Sequence, residues 1–309
     1  MSKNRIIETY RIQQFIPGEK LKVKSKNPKY HYTSPDGFLA IIKYSSLHFT
    51  DIRYFNDKSE NTYIYHCIRL FLNKHPNKYN VLRELMKTIF SDADGLDINR
   101  ERPKFPFSDK PKRVFVFCTS TDPDSLSMWN YYVKNGNYSG YSIGLNPTQI
   151  IKSLEKYYNK IEVLFGNVIY NEKDQLTEIQ LIAGLLEEYF AGEENKMRGL
   201  ALLYLYCQQF SPFFKNEKFS HEKEYRFVIS IDEDKLSDCL TDDLKFDYRI
   251  SNGIVVPYLK LAFDKKALKQ IYLSPNTEVE ISKESILGLC KKCGYDKVSI
   301  NASKVPIRF

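Results

Sequence analysis

Long apolar runs are missing from this chain of 309 residues, and no stretch approaches the roughly 18 consecutive apolar residues that a membrane-spanning helix requires. No signal peptide is read ahead of residue 30. The expectation is a soluble protein with no membrane contact. Cysteine is sparse as well. Six cysteines, at positions 67, 118, 207, 239, 290 and 293, do not form a disulfide framework, and Cys118 and Cys207 stand in apolar surroundings where a thiol behaves as a small hydrophobe. A reducing, cytoplasmic location is expected. Cys290 and Cys293 make a Cys-x-x-Cys pair, but no second Cys or His pair stands at ligand spacing, so no metal is expected. Repeats and clear linkers are absent too. The economical organisation is one α+β domain over residues 1–309 with helical insertions near 61–90 and 175–210.

What is present suffices for a substantial core: 42% of residues are apolar and 14% aromatic. Lys and Arg number 46 against 38 acidic residues, a formal +8 that favours anionic partners without requiring them. The basic residues are scattered. Their nearest approach to a patch, Lys20, Lys22, Lys24, Lys26 and Lys29, reads as a solvated amino-terminal segment.

Local pattern divides the chain into elements. Tyr30 to Thr33 is a short aromatic strand, Ser34-Pro35-Asp36 starts a helix running to Tyr44, and Ser46 to Asp51 is extended. Two helices are expected between Asn61 and Phe90, and a loop rich in Asp and Pro between Ser91 and Pro111. Val114-Phe115-Val116-Phe117-Cys118 has the uninterrupted apolar character of a strand buried on both faces, and is the expected central strand. Strands are expected over Tyr138–Leu145 and Val163–Tyr170, with a helix from Pro147 to Tyr158 between them. Residues 175–210 form a helical block whose first half is amphipathic through Ile179, Ile182, Leu186 and Tyr189. The chain closes with a strand over Gln270–Leu273, a helix over Ser282–Lys292 and a strand over Lys297–Asn301.

The stretch with most chemistry is Glu222-Lys223-Glu224-Tyr225-Arg226, continued by Phe227, Ile229 and Ile231. In an extended strand Glu222, Glu224 and Arg226 share one face while Tyr225, Phe227, Ile229 and Ile231 share the other. A strand so backed fixes its carboxylates for acid/base or electrostatic work; the plainer alternative is a solvated salt-bridge face at a sheet edge. Asn56, Asp57 and Glu60 follow a strand and suit either a turn that caps the next helix or a site. Trp129, the single tryptophan, could form an aromatic wall with Tyr131, Tyr132, Tyr138 and Tyr141, or pack in the core.

Three of these places resemble the ADP-ribosyltransferase superfamily. Tyr30-His31-Tyr32-Thr33 is similar to the first motif of the His-Tyr-Glu branch, with Tyr32 where that branch has glycine. Cys118-Thr119-Ser120 resembles the strand-borne Ser-Thr-Ser of the Arg-Ser-Glu branch, although Thr119 to Asp124 could equally end a strand and cap the helix of Leu126 to Val133, with Asp124 or Ser125 as N-cap. Glu222-Lys223-Glu224 resembles the Glu-x-Glu motif. Over most of positions 30–308 the chain more closely resembles the bacterial domain of unknown function 2971 family, through Phe55-Asn56-Asp57 with Glu60, Ser127-Met128-Trp129 with Tyr132 and Gly140, Glu222 to Arg226, and Ser303 to Arg308. That family brings no established activity.

The superfamily resemblance implies an α+β fold with a mixed central sheet and NAD as substrate. It implies Glu224 as catalytic carboxylate with Glu222 and Arg226 in support, and His31, Tyr32, Thr33 and Ser120 against the cofactor, with Asn56, Asp57, Glu60 and Trp129 as further candidates. The expected function is then an NAD-consuming effector of toxin or phage-defence type whose acceptor is nucleic acid or protein. Two alternatives remain open: a nucleic-acid or protein binding module without catalysis, and a metal-dependent nuclease using Asp57, Glu60, Glu222 and Glu224.

Overall fold

The computed structural model describes residues 25–57, 59–90, 103–106, 112–132, 139–157, 163–242, 244–251 and 253–306. They divide into two compact units. One is helical and draws its described part from residues 55–111 and 168–219. The other comprises Val23–Tyr54, Lys112–Asn167 and Ser220–Phe309 and carries a ten-stranded mixed sheet. No helix among the described residues is long and apolar enough to cross a membrane.

The helical unit contains Tyr63–Lys74, Asn80–Ile89, Glu172–Tyr189 and Lys196–Phe210, which are the helices the periodicity predicts near 61–90 and 175–210. Ile64, Ile68 and Phe71 of the first, Leu82, Leu85 and Ile89 of the second, and Ile179, Ile182 and Leu186 of the third are buried. Tyr189, expected on that third stripe, is instead exposed, and Phe190 closes the stripe four positions after Leu186, where helical geometry brings side chains together. Most of the loop expected over Ser91–Pro111 lies outside the described residues.

In the sheet unit the strands are β1 (Lys29–Thr33), β2 (Ser46–Asp51), β3 (Lys112–Ser120), β4 (Tyr141–Leu145), β5 (Val163–Asn167), β6 (Glu224–Asp232), β7 (Leu244–Ser251), β8 (Ile254–Ala262), β9 (Leu268–Leu273) and β10 (Ser299–Ala302). Their order is β10-β9-β4-β1-β3-β2-β8-β7, with β6 paired to β3 and β5 to β6. The β9–β10 pair is parallel and the other pairs are antiparallel. Ser34 caps the helix Pro35–Tyr44 between β1 and β2 by accepting a hydrogen bond from the Gly37 amide at 3.2 Å, so the expected strand, helix, strand opening is present.

The expected central strand is where the sheet forks. β6 pairs with β3 along its whole length, from Lys112 opposite Asp232 to Ser120 opposite Glu224. A strand has two edges, so β1 and β2 share the other one: β1 meets it at Ser120, and β2 at Phe115 and Val116. Between those two attachments neither strand pairs with Phe117, Cys118 or Thr119. One face of the sheet, carrying Phe49, Phe115, Phe117, Ile143, Tyr225, Phe227, Ile229 and Leu259, forms the main hydrophobic core. Since directly opposed residues of an antiparallel pair share a face, Glu224, Arg226, Cys118 and Ser120 lie on the other.

A buried carboxylate holds the end of β2 to β3. Asp51, fully buried, accepts from the Arg53 backbone amide and Nε, at 3.1 and 3.0 Å, and from Arg113 Nη2 at 2.9 Å. Burial alone would raise its pKa, but the two guanidinium groups outweigh that and hold it below the usual carboxylate range. A depressed folded-state pKa stabilises the fold above the unfolded value of about 3.9, and that stability is lost as pH falls through the folded value. Asp51→Asn is therefore expected to cost roughly 3 kcal/mol at pH 7, because it leaves Arg113 beside an uncharged partner. Denaturant titrations at several pH values check this; the variant should also show a flatter loss of stability below about pH 4.

Candidate functional site

The carboxylate pair stands at a backbone kink. Glu222 ends a short 3₁₀ segment, Glu224 begins β6, and Lys223 between them adopts a left-handed conformation with φ 46°, which costs a non-glycine residue about 1 kcal/mol or more. Three contacts impose it. The Ser120 hydroxyl donates to the Glu222 carbonyl at 2.8 Å, the Thr121 amide donates to the Lys223 carbonyl at 2.9 Å, and the Lys223 amide donates to the Ser220 carbonyl at 3.2 Å. The Lys223 side chain pairs with Asp122 at 3.0 Å.

Glu224 is 4% exposed and pairs with the Nε of fully buried Arg226, two residues on along the same face. Glu222 is buried too. Tyr132 lies against this group. Although the residue is 38% exposed, burial pushes its phenol well up, and the negative charges of Glu224 and Glu222 push it further, with Cys118 adding and Arg226 opposing. Cys118, half-buried, is directly across from Arg226 on β3. On the neighbouring turn the His221 ring lies 5.5 Å from that of Tyr131, and its Nε2 is buried without a hydrogen bond among the described residues. Glu224, Arg226 and Cys118 thus share one face of the sheet, whereas Glu222, expected on that face, lies on the 3₁₀ segment before it because the left-handed Lys223 interrupts the strand alternation; the Tyr132 phenol senses both carboxylates.

The first-motif residues are arranged otherwise. His31 fills the fork: its Nδ1 is 3.0 Å from the Cys118 carbonyl, so that nitrogen carries the proton, and its ring lies 4.7 Å from that of Phe117. The contact gives the Cys118 carbonyl a partner between the two attachments. Burial lowers the imidazole to about 4, against the opposing effect of the Cys118 carbonyl and with a contribution from Arg249, so His31 is neutral at pH 7. The strand register puts it with Ile143 on the core side, opposite the face of Glu224. Thr33 borders the helix that follows, where a Cβ on Gly37 would stand 2.2 Å from its Oγ1.

Three expected cofactor contacts are internal to the fold. The Ser120 hydroxyl is fully buried, and besides donating to Glu222 it accepts from the Asp122 amide at 3.1 Å, which makes it a positioning group. The Tyr32 hydroxyl donates to the Asp122 carbonyl and accepts from the Ser125 amide, both at 2.8 Å, and burial raises its pKa. Trp129 is fully buried, its ring 4.7 Å from that of Tyr32, and its indole donates to Asp124 at 2.8 Å. Asp124 also takes the Ser303 hydroxyl at 2.5 Å and the Lys304 amide at 2.6 Å, so it ties the closing segment to Trp129, while Ser125 stands at the start of the helix Leu126–Tyr132 and its carbonyl accepts from the Trp129 amide at 3.0 Å. Core packing, the alternative open from sequence, accounts for Trp129. Tyr138, expected in the same wall, lies outside the described residues.

Asn56, Asp57 and Glu60 belong to the helical unit. Asp57 makes a turn by accepting from the Ser59 amide at 2.9 Å and hydroxyl at 2.7 Å, while Glu60 forms a buried ion pair with Lys215 at 3.3 Å. The helix that follows is capped at Thr62 without a side-chain bond, so none of the three is its cap. No group of three or more His, Cys, Asp or Glu among the described residues is placed to hold a metal ion. Sequence reasoning missed Tyr132 and Cys118 as members of the carboxylate cluster. Cys118 was detectable, since its place in the central strand puts it two residues from Ser120 on one face.

The span from Met128 to Phe227 contains Tyr132, both carboxylates and Arg226. It matches a known family model. That family is described as a protein of unknown function, DUF2971, and the match covers residues 128–227. Neither the Asn56 to Glu60 region nor the closing Ser303 segment falls in the DUF2971 match. No curated protein and no solved structure matches the chain, so the comparisons lend the ADP-ribosyltransferase resemblance no support.

Proposed function

We propose that the chain is an NAD-consuming enzyme of ADP-ribosyltransferase type, with Glu224 stabilising the ribose as nicotinamide leaves. The observation that carries this reading is the clamped turn at Lys223, which fixes two buried carboxylates beside Arg226 and Tyr132. Cleavage of the bond from ribose C1′ to the pyridinium nitrogen sends its electron pair to that nitrogen. Neutral nicotinamide departs and positive charge develops on the ribosyl group, where a fixed carboxylate in a water-poor site is most effective. A nucleophile then donates an electron pair to C1′ and loses a proton, for which Glu222 is the nearby acceptor. The nucleophile is water or a group on a nucleic-acid or protein acceptor. In a bacterial cell such an activity suits a toxin or phage-defence effector.

The test is incubation of the purified chain with NAD labelled in its ADP-ribose part, with and without cell lysate, in excess EDTA. Nicotinamide release that persists in EDTA is the expected result. Absence of NAD turnover under both conditions would overturn the reading. Nucleic-acid cleavage lost in EDTA and restored by magnesium would favour the metal-dependent nuclease in its place.

A further inference from the structure

The lobe of the sheet formed by β2, β8 and β7 brings Arg249 and Lys260 together with a single carboxylate, Asp247. His48 on β2 stands directly opposite Lys260 on β8, and Thr50 opposite Tyr258. Tyr258 is in turn opposite Asp247 on β7, and Arg249 lies two residues beyond Asp247 on the same face. The His48 ring stacks on Tyr258 with centroids 4.1 Å apart, and the Arg249 guanidinium lies 5.9 Å from the same ring while donating to the Thr50 hydroxyl at 2.9 Å. Lys260 extends over the Tyr44 ring at 4.7 Å.

Among the described residues neither Arg249 nor Lys260 forms an ion pair. Asp247, the acidic group on this face, already accepts from the Tyr258 hydroxyl at 3.2 Å and the Tyr248 amide at 2.8 Å. Burial lowers His48 to about 4, and Arg249, Lys260 and His31 lower it further against a small opposing effect of Asp247. Arg249 is an exposed residue, yet its guanidinium loses enough hydration for its own pKa to fall. Two cations against one carboxylate leave an excess positive charge on adjacent strands, which a bound anion would offset.

We propose that Arg249, Lys260 and His48 form a binding site for a phosphate group on the β2–β8–β7 lobe. The guanidinium offers a planar fork of donors, the ammonium a point charge, and the neutral imidazole a further N–H, which together suit a tetrahedral oxyanion. Two permanent cations match a phosphate dianion better than a single carboxylate. The Thr50 bond and the Tyr258 ring hold Arg249 and His48 in place before a ligand arrives. The site does not depend on Glu224, so the inference stands or falls apart from the proposed NAD chemistry.

Calorimetric titration of the full chain with inorganic phosphate and with ADP, at constant ionic strength, tests it. Saturable binding of both is expected. ADP binding tighter than phosphate would assign the group to a nucleotide, and equal affinity would assign it to free phosphate. Arg249→Gln should weaken both by about tenfold or more, the loss of one charged hydrogen-bonding partner, and Arg249→Lys should weaken them less. Glu224→Gln should bind phosphate as the native chain does. Failure of both anions to bind, or native affinity in both Arg249 variants, would overturn the proposal.

Discussion

Glu224→Gln is expected to lower turnover of NAD by about 10²- to 10³-fold or more while the chain stays folded. The swap is nearly isosteric and the amide oxygen still accepts from Arg226 Nε, while the clamped turn at Lys223 is held by one hydroxyl and two backbone amides that the swap does not touch. What disappears is the negative charge, and in a buried site little solvent can replace it. Some loss of stability is expected as well, because Arg226 is fully buried and loses a charged partner. Melting curves measured beside the kinetics separate the two effects. Glu222→Gln should reduce transfer to an acceptor more than hydrolysis of NAD, since water needs less help in losing its proton to the surroundings. Full activity in the Glu224 variant would make the charged face of β6 a structural device and would end the catalytic reading.

Trp129→Ala should cost about 3–5 kcal/mol of stability, among the largest effects of any single substitution in the sheet unit. The indole is fully buried against Tyr32, and its removal opens a cavity while depriving Asp124 of a donor. Asp124 also anchors Ser303 and Lys304, so the closing segment should loosen with it. Trp129→Phe keeps most of the buried area but loses the N–H donor to Asp124 and part of the ring, for which about 1–3 kcal/mol is expected. Guanidinium titrations followed by far-ultraviolet circular dichroism measure both. A cost below about 1 kcal/mol together with lost NAD binding would restore Trp129 to the ligand wall that its sequence neighbourhood suggested.

Much of the architecture is local and was therefore legible. Alternation along Glu224–Asp232 separates a charged face from an apolar one, and the apolar run in Lys112–Ser120 marks a strand with neighbours on both edges. Helix periodicity located the two helices between Asn61 and Phe90 and the helical block over 175–210, which among the described residues is two helices. The hairpin of Leu244–Ser251 and Ile254–Ala262 went unread, although Asn252-Gly253 between two alternating stretches is a strong turn signal, and Gly253 does adopt φ 79°. With that hairpin went Arg249 and Lys260, and hence the basic lobe.

Which residues share a face of a strand, Glu224 with Arg226 among them, and where the long helices run follow from periods of 2 and 3.6 within a few residues, but Glu222 escapes that pattern because the left-handed Lys223 ends the alternation before the strand begins. What stands opposite each face depends on pairing between distant segments. His31 lies in a fork because β1 and β2 share one edge of β3, a property of three strands at once. Ser120 and Tyr32 close internal hydrogen bonds to residues about 90 to 100 positions away, and Arg249 reaches Thr50 across 199. A hydroxyl or an imidazole has the same local signature whether it meets a ligand or a backbone carbonyl. Pairing register, which moves a whole strand's side chains from one face to the other with a single-residue slip, makes that choice, and it is set by contacts far apart in the chain.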